Sequence, residues 1–403
     1  MAVVEKTTIG FGSRLGSSLK GIFTGLLMVL AGIVLLWWNE GRSVRRYKAL
    51  KEGAAAVISI SADQVLPENE GKLVHLTAPA VTQETLQDSE FGLSLPGALR
   101  LERKVEMYQW QEDSETKEEE KLGGKVEKTT TYTYEKVWSS TPIDSRNFKE
   151  AGHENPARSP IPEKTILPAR VTVGAFRLTP EQIQKVGGAR ELALAPDYQV
   201  PENLPALLPL YQTPRISSQE IYFPVKKGNA PEGDAPAGEN TPEIGDLRVS
   251  FQVVDSHDIS LVYVQKGDSF AVYQAKTGTV ALQADGIKTA DEMFTSAQSA
   301  NKVMTWLLRL VGFFLIFSGF QAIFKPIQVL ASVIPFLGRM VGAGTSTISF
   351  LLALPISLLV ISLAWLFYRP VLAVVLLVAM AASLYGLKTA FAKLKKPEAP
   401  VQA

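Results

Sequence analysis

Hydrophobic residues gather into uninterrupted runs at both ends of the chain and alternate with polar ones in between. Gly21 to Trp38, "GIFTGLLMVLAGIVLLWW", is a run of eighteen uncharged residues that ends in two tryptophans. About 20 apolar helical residues cross a membrane core of about 30 Å, and tryptophan favours the headgroup zone. The run predicts a first crossing over 21–38. A cleaved signal peptide would be shorter and end in a small-residue site, whereas "NEGRSVRRYK" follows here. "VMTWLLRLVGFFLIFSGFQAIF" predicts a second crossing over 303–324. Its Arg309 lies about two turns in, where a long side chain snorkels to the interface. No acidic partner is read in any crossing, which argues against an intramembrane charge lining a pathway.

Ile348 to Leu387 is forty residues long, about 60 Å as a helix and twice the need of one crossing. Pro370 lacks a backbone donor and disfavours helix in the residue before it, so a helix stops near Tyr368. Trp365, Tyr368 and Arg369 are also residue types that favour the headgroup zone. The block therefore predicts two crossings, 348–368 and 371–387, joined by a tight Arg369-Pro370 turn, with Pro355 kinking the first. The preceding segment, 325–347, is apolar but interrupted by Pro326, Pro335 and Arg339, which predicts an interfacial or re-entrant piece. Gly338 and Gly342 form a GxxxG pair there, and Gly21 with Gly25 forms another. That spacing permits close helix contact, within one chain or between copies.

Four crossings place both termini on one side. Nine lysines and arginines flank the crossings on that side against seven opposite, a small bias, and long domains translocate largely regardless of charge. The tails 1–20 and 388–403 are accordingly expected in the cytoplasm and residues 39–302 outside it.

Within 39–302 the period shortens to two. "KLVHLT", "RLERKVEMYQW" and "KVEKTTTYTYEKVW" read as strands, and the last two flank "QEDSETKEEEKLGG", expected to be a solvated hairpin tip. "ARVTVGAFRL" reads as one further strand. In "TPEQIQKVGG", Thr179, Pro180 and Gln182 supply the cap, first position and capping box of a short helix. A loop rich in Gly, Pro and acidic residues, about 227–245, reads as a mobile excursion. A meander of "DLRVSFQVV", "ISLVYVQ", "SFAVYQA" and "TVALQA" follows. Thr289 and Glu292 then open a helix with no breaker before the second crossing.

Composition narrows the chemistry mainly by exclusion. The chain has no cysteine, so it holds no disulfide, thiol nucleophile or thiolate metal site. His75, His153 and His257 are far apart, in no metal-ligand spacing. "GLSLPG" misses the nucleophile elbow, and there is no phosphate-cradling glycine loop. A net charge of +1 with no basic stripe argues against nucleic acid. No catalytic residue, cofactor or metal is expected.

"GKLVHLTAPAV", "LRLERKVEMYQWQE", "YTYEKVWSSTPIDSRNF" with the following "HENP", "IGDLRVSFQVV", "TWLLRLVGFFLIFSGF", "IPFLGRMVGAG" and "AWLFYRP" occur in order over most of the chain. Together they resemble the LUMA family, also called transmembrane protein 43. The resemblance implies one N-terminal crossing, a large lumenal or extracytoplasmic domain and three C-terminal crossings. The expected fold is a multi-pass α-helical membrane protein of four crossings with a large β-rich α+β domain between the first two. Eukaryotic members resemble self-associating organisers of the endoplasmic reticulum and inner nuclear membrane. This chain, Cys-free and without a lamina-directed tail, is expected to be a bacterial member with its domain in the periplasm. The expected function is a non-enzymatic, self-associating scaffold whose partners are the bilayer, further copies and other envelope proteins. The alternative is an oligomeric channel or transporter subunit lined by 326–345. Arg309, Gly338, Gly342, Trp365, Tyr368, Arg369 and Pro370 are the candidate structural or interaction residues.

Overall fold

Helix α1 runs from Phe11 to Ala56 without a break, about 69 Å at 1.5 Å per residue and twice the thickness of a hydrocarbon core. It belongs to a computed structural model that describes residues 3–204, 208–226, 241–366 and 370–394. The apolar run 21–38 is only the middle of this helix. "NEGRSVRRYKALKEGAAA" contains no proline and continues the helix until Val57 turns extended. After the short helix α2 (Pro180–Gln184), whose capping box forms as the sequence indicates, α3 behaves like α1. It starts at the Thr289/Glu292 capping box and spans Ala290–Ala331. Helix α4 is Pro335–Trp365 and α5 is Pro370–Leu394.

The separate interfacial piece expected at 325–347 does not exist as such. Pro326 sits buried inside α3, the turn is Ser332 to Ile334, and Pro335 occupies the first position of α4. Proline is tolerated there because that N–H has no intrahelical partner. The apolar block after it does divide, into α4 and α5, with Pro355 inside α4 and helix on both sides of it. The expected turn residues Tyr368 and Arg369, like the 227–240 part of the expected loop, lie outside the described residues. Among the described residues, α1, α3 and α4 are long and apolar enough to cross a membrane, and α5 contains a shorter apolar stretch, 377–389.

The β-rich body is built on two large sheets, each with its own core, beside two small two-stranded ones. In the first, β1 (Val3–Ile9) pairs with β4 (Val126–Ser139), β4 with β3 (Arg100–Glu120), and β3 with β5 (Leu247–Val254), with Glu220–Phe223 beyond it. In the second, β2 (Leu73–Val81) pairs with β6 (His257–Lys266). The expected meander is thus split, since β5 joins one sheet and β6, two residues later, the other. "ARVTVGAFRL" is likewise not one strand but a tight hairpin of Thr172–Val173 and Phe176–Arg177. Gly174 turns it at φ +60°, against the backbone of Ala62, where a side chain would clash. A third cluster joins body to bundle: Ala49 and Leu50 of α1 and Met293 and Phe294 of α3 pack on Leu73, Val262 and Val280.

Strands β3 and β4 extend well beyond the body. β3 leaves its partner β5 at Met107 and stays paired with β4 until Glu120 meets Val126. These 13 residues reach about 43 Å, with β1 along their outer edge. The expected hairpin is there, but Gln111–Glu120, expected as part of its solvated tip, is paired strand, and the short turn that remains at 121–125 is docked. Arg14 at the start of α1 donates to Gly124 O (2.7 Å), Ser332 Oγ (3.0 Å) and Glu120 Oε1 (3.1 Å), and Gly123 N donates to Val333 O (3.0 Å). The body therefore sits at the Ala56 end of α1 and the arm tip at its Phe11 end, with the apolar run between them.

Candidate functional site

Glycines bring α1 and α3 together. The two helices run antiparallel, and a Cβ on Gly25 would lie 2.6 Å from Gly319 O, while one on Gly319 would lie 2.7 Å from Gly25 O. Seven residues away on each helix, Gly32 and Gly312 repeat the contact, the former 2.9 Å from Gly312 O. Seven residues are nearly two turns, so both pairs share a face, and small residues let helix backbones approach without a gap. Gly25 of the N-terminal GxxxG pair is thereby used inside the chain. Gly338 is also occupied, with Ser332 and the Glu120 carboxylate beside it, whereas a Cβ on Gly342 would meet nothing within 4 Å beyond its own helix backbone.

Toward the body the same interface turns polar. Asn39 Nδ2 donates to Thr305 O (3.0 Å), and Asn301 Nδ2 donates to Ser43 O (3.0 Å). The Thr305 hydroxyl meets that of Ser43 at 2.8 Å. Arg42 reaches Asn39 Oδ1 and Asn301 Oδ1. Asn301, Thr305 and Arg309 are four residues apart, one stripe of α3. At its inner end Arg309 donates from Nε to Glu40 Oε1 (2.6 Å) and from a terminal nitrogen to Glu40 Oε2 (2.9 Å). Glu40 is 1 % exposed and Arg309 8 %. The guanidinium lies between two indoles, 4.6 Å from the Trp306 centroid and 4.7 Å from that of Trp365. Trp365 Nε1 also donates to Glu40. Three helices are thus fastened at one point.

An arginine in a membrane helix costs about 2.5–3.5 kcal/mol on insertion scales. The planar fork matched to a carboxylate and stacked between two aromatic faces offsets that cost. The reading that no acidic residue partners a crossing is corrected by Glu40, two residues past the expected end of the first crossing but inside α1.

Two of the sequence-derived candidates, Arg309 and Trp365, therefore meet. Gly338, Gly342 and Pro370 lie at other places in the bundle, Pro370 as the first residue of α5. Glu40, Asn39, Asn301 and Thr305 were not singled out. The available signal was the four-residue spacing on α3; nothing local links it to Glu40. The histidines are dispersed: His75 binds Ser59 and Lys288 O, His153 stacks on Tyr134, and His257 faces Asp285. Among the described residues no group of three His, Asp or Glu side chains is placed to hold a metal.

Apolar helices long enough to cross a bilayer, fastened by an interhelical ion pair and rooted in a large β-rich body, define an integral membrane protein. The model of the family "Transmembrane protein 43" matches residues 107–370. Transmembrane protein 43 of Mus musculus is 32% identical over 383 residues, 91% of this chain and 89% of that one. The Homo sapiens protein is 32% identical over 382 residues, with the same shares. The Drosophila melanogaster homolog is 30% identical over 368 residues, 88% and 90%. The chain belongs to the transmembrane protein 43 family. No solved structure matches it.

Proposed function

We propose that this chain is a non-enzymatic, self-associating scaffold of a cell membrane, holding its β body at a set distance and angle from the bilayer. Four crossings, with α5 as the fourth, put the Phe11 end of α1 and the C-terminus in the cytoplasm and the body outside it, in the periplasm if the membrane is a bacterial inner membrane, with β1 returning along the arm. The observation that carries self-association is the arm. Its strands are polar, "SETKEEE" against "VEKTTTY", yet they run abreast of the apolar part of α1. Non-helical backbone at membrane depth is tolerated only where protein buries it or water bathes it, so the arm calls for neighbouring copies. The continuity of α1 and α3 into the body, with the Glu40–Arg309 lock, supports a rigid carrier.

Mass measurement of the full chain in mild detergent tests this reading, with crosslinks through the arm as the second readout. A uniform oligomer crosslinked between arms is expected; a monomer without such crosslinks overturns it. The same arm favours one second reading, an oligomeric pore whose water-filled wall it forms. Ion flux through liposomes holding only this protein would select the pore over the scaffold.

A further inference from the structure

A groove of about 580 Å³ opens between α3 and α4 on the outside of the bundle, within the range of about 300–1,000 Å³ typical of ligand sites. Leu307, Leu310 and Phe313 form one wall and Leu354, Leu358 and Ile361 the other. It extends along α3 from Lys302 to Phe313, eleven residues and roughly 16 Å. Its two ends differ in chemistry. Lys302 stands exposed at the body end of the groove, and no described carboxylate pairs with it. Trp306 follows one turn deeper, and beyond it, apart from Arg309, whose guanidinium is held by Glu40, the walls are hydrocarbon. In the floor, Ser357 is 5 % exposed and its hydroxyl has no hydrogen-bond partner.

We infer that this groove is a binding site for one anionic phospholipid, its phosphate on Lys302, an acyl chain along the leucines and Phe313, and Ser357 beneath. The order of cation, indole and hydrocarbon along one helix matches that of phosphate, ester region and acyl chain in a bilayer leaflet. A second copy of the chain fits less well. Helices pack in membranes through small residues, and the rim is Trp306, Leu307 and Leu310. A helix with its side chains is about 10–12 Å across, too wide for a slot between two packed neighbours.

Native mass spectrometry of the detergent-solubilised full chain tests the inference, after delipidation and addition of phosphatidylglycerol or phosphatidylcholine. The parent chain should retain one lipid, with phosphatidylglycerol preferred about fivefold, the contribution of a single lysine near a membrane surface. Lys302→Glu, an exposed change that leaves the groove walls intact, should abolish the preference while phosphatidylcholine still binds. Leu358→Trp, which fills the groove, should lose both lipids while unfolding at a temperature near that of the parent. Undiminished preference in Lys302→Glu, or a parent that retains no lipid, overturns the inference. So does a doubled protein mass without lipid that Leu358→Trp abolishes, since the groove would then be covered by a second copy.

Discussion

Arg309 and Glu40 are 269 residues apart in the chain and form a two-pronged ion pair at 2.6 and 2.9 Å, nearly closed to solvent. The pair ties the helix that enters the body to the one that leaves it.

Removing one partner strands the other charge. Glu40→Gln and Arg309→Met should each destabilise the protein in detergent by about 3–5 kcal/mol, whereas the double variant Glu40→Leu/Arg309→Met should lose far less than their sum. A double-mutant cycle from denaturant unfolding measures this. Additive losses would mean that the two charges do not support one another.

The glycine contacts make a second, sharper comparison. Gly25→Val places methyl groups against the Gly319 carbonyl and should cost at least about 1–3 kcal/mol, the penalty for overpacking. Gly342→Val meets open space and should stay within about 0.5 kcal/mol apart from helix propensity. Equal melting temperatures for the two variants would contradict the close approach of α1 and α3.

The arm tip is held by Arg14. Arg14→Ala removes three hydrogen bonds and should raise amide exchange over 113–131 without changing exchange in the body. Because the chain has no cysteine, single cysteines at Gly12 and at Leu122, a tip residue 80 % exposed, report sidedness directly. In sealed vesicles a membrane-impermeant maleimide should label both or neither. Opposite labelling would show that the tip leaves its dock in a bilayer.

The body should weaken in alkali. Burial, with Asp88 near one and Asp246 near the other, pushes the phenols of Tyr198 and Tyr211 up to about 12; burial and a hydrogen bond to Asp246 raise Tyr222 as well. Each folded phenol keeps a proton that the unfolded chain releases near pH 10. The stability these groups contribute is complete below pH 10 and is lost as pH rises toward 12. Melting temperatures followed from pH 9 to pH 12 should fall, and fall less steeply in Tyr198→Phe/Tyr211→Phe. An unchanged slope in that variant would remove the phenols as the cause.

The apolar runs were legible because membrane insertion depends on length and composition: about 20 uncharged residues read the same in any context. Capping boxes were legible for a similar reason, since Thr179 with Gln182 and Thr289 with Glu292 close within one turn. The β3–β4 hairpin was visible in the alternation of its two strands, but its turn was not, because the charged run read as the link is strand as far as Glu120, where pairing with β4 outweighs polarity. Helix ends were not. The apolar run stops at Trp38, but α1 stops only where Val57 begins the path into the body, and a fall in hydrophobicity does not break a helix.

What only the tertiary structure decided is everything that depends on partners far away in the chain. Arg309 alone reads as a snorkelling side chain, and Glu40 as a loop carboxylate; their pairing arises from the glycine faces of α1 and α3, which set the depth at which the two residues meet. The division of β5 and β6 between two sheets, the docking of Gly124 on Arg14, and the groove between α3 and α4 have the same origin. Hydrophobic pattern specifies which face of an element is buried, but the choice among apolar faces is made by shape and by the need to satisfy each buried polar group, and both are properties of the assembled chain.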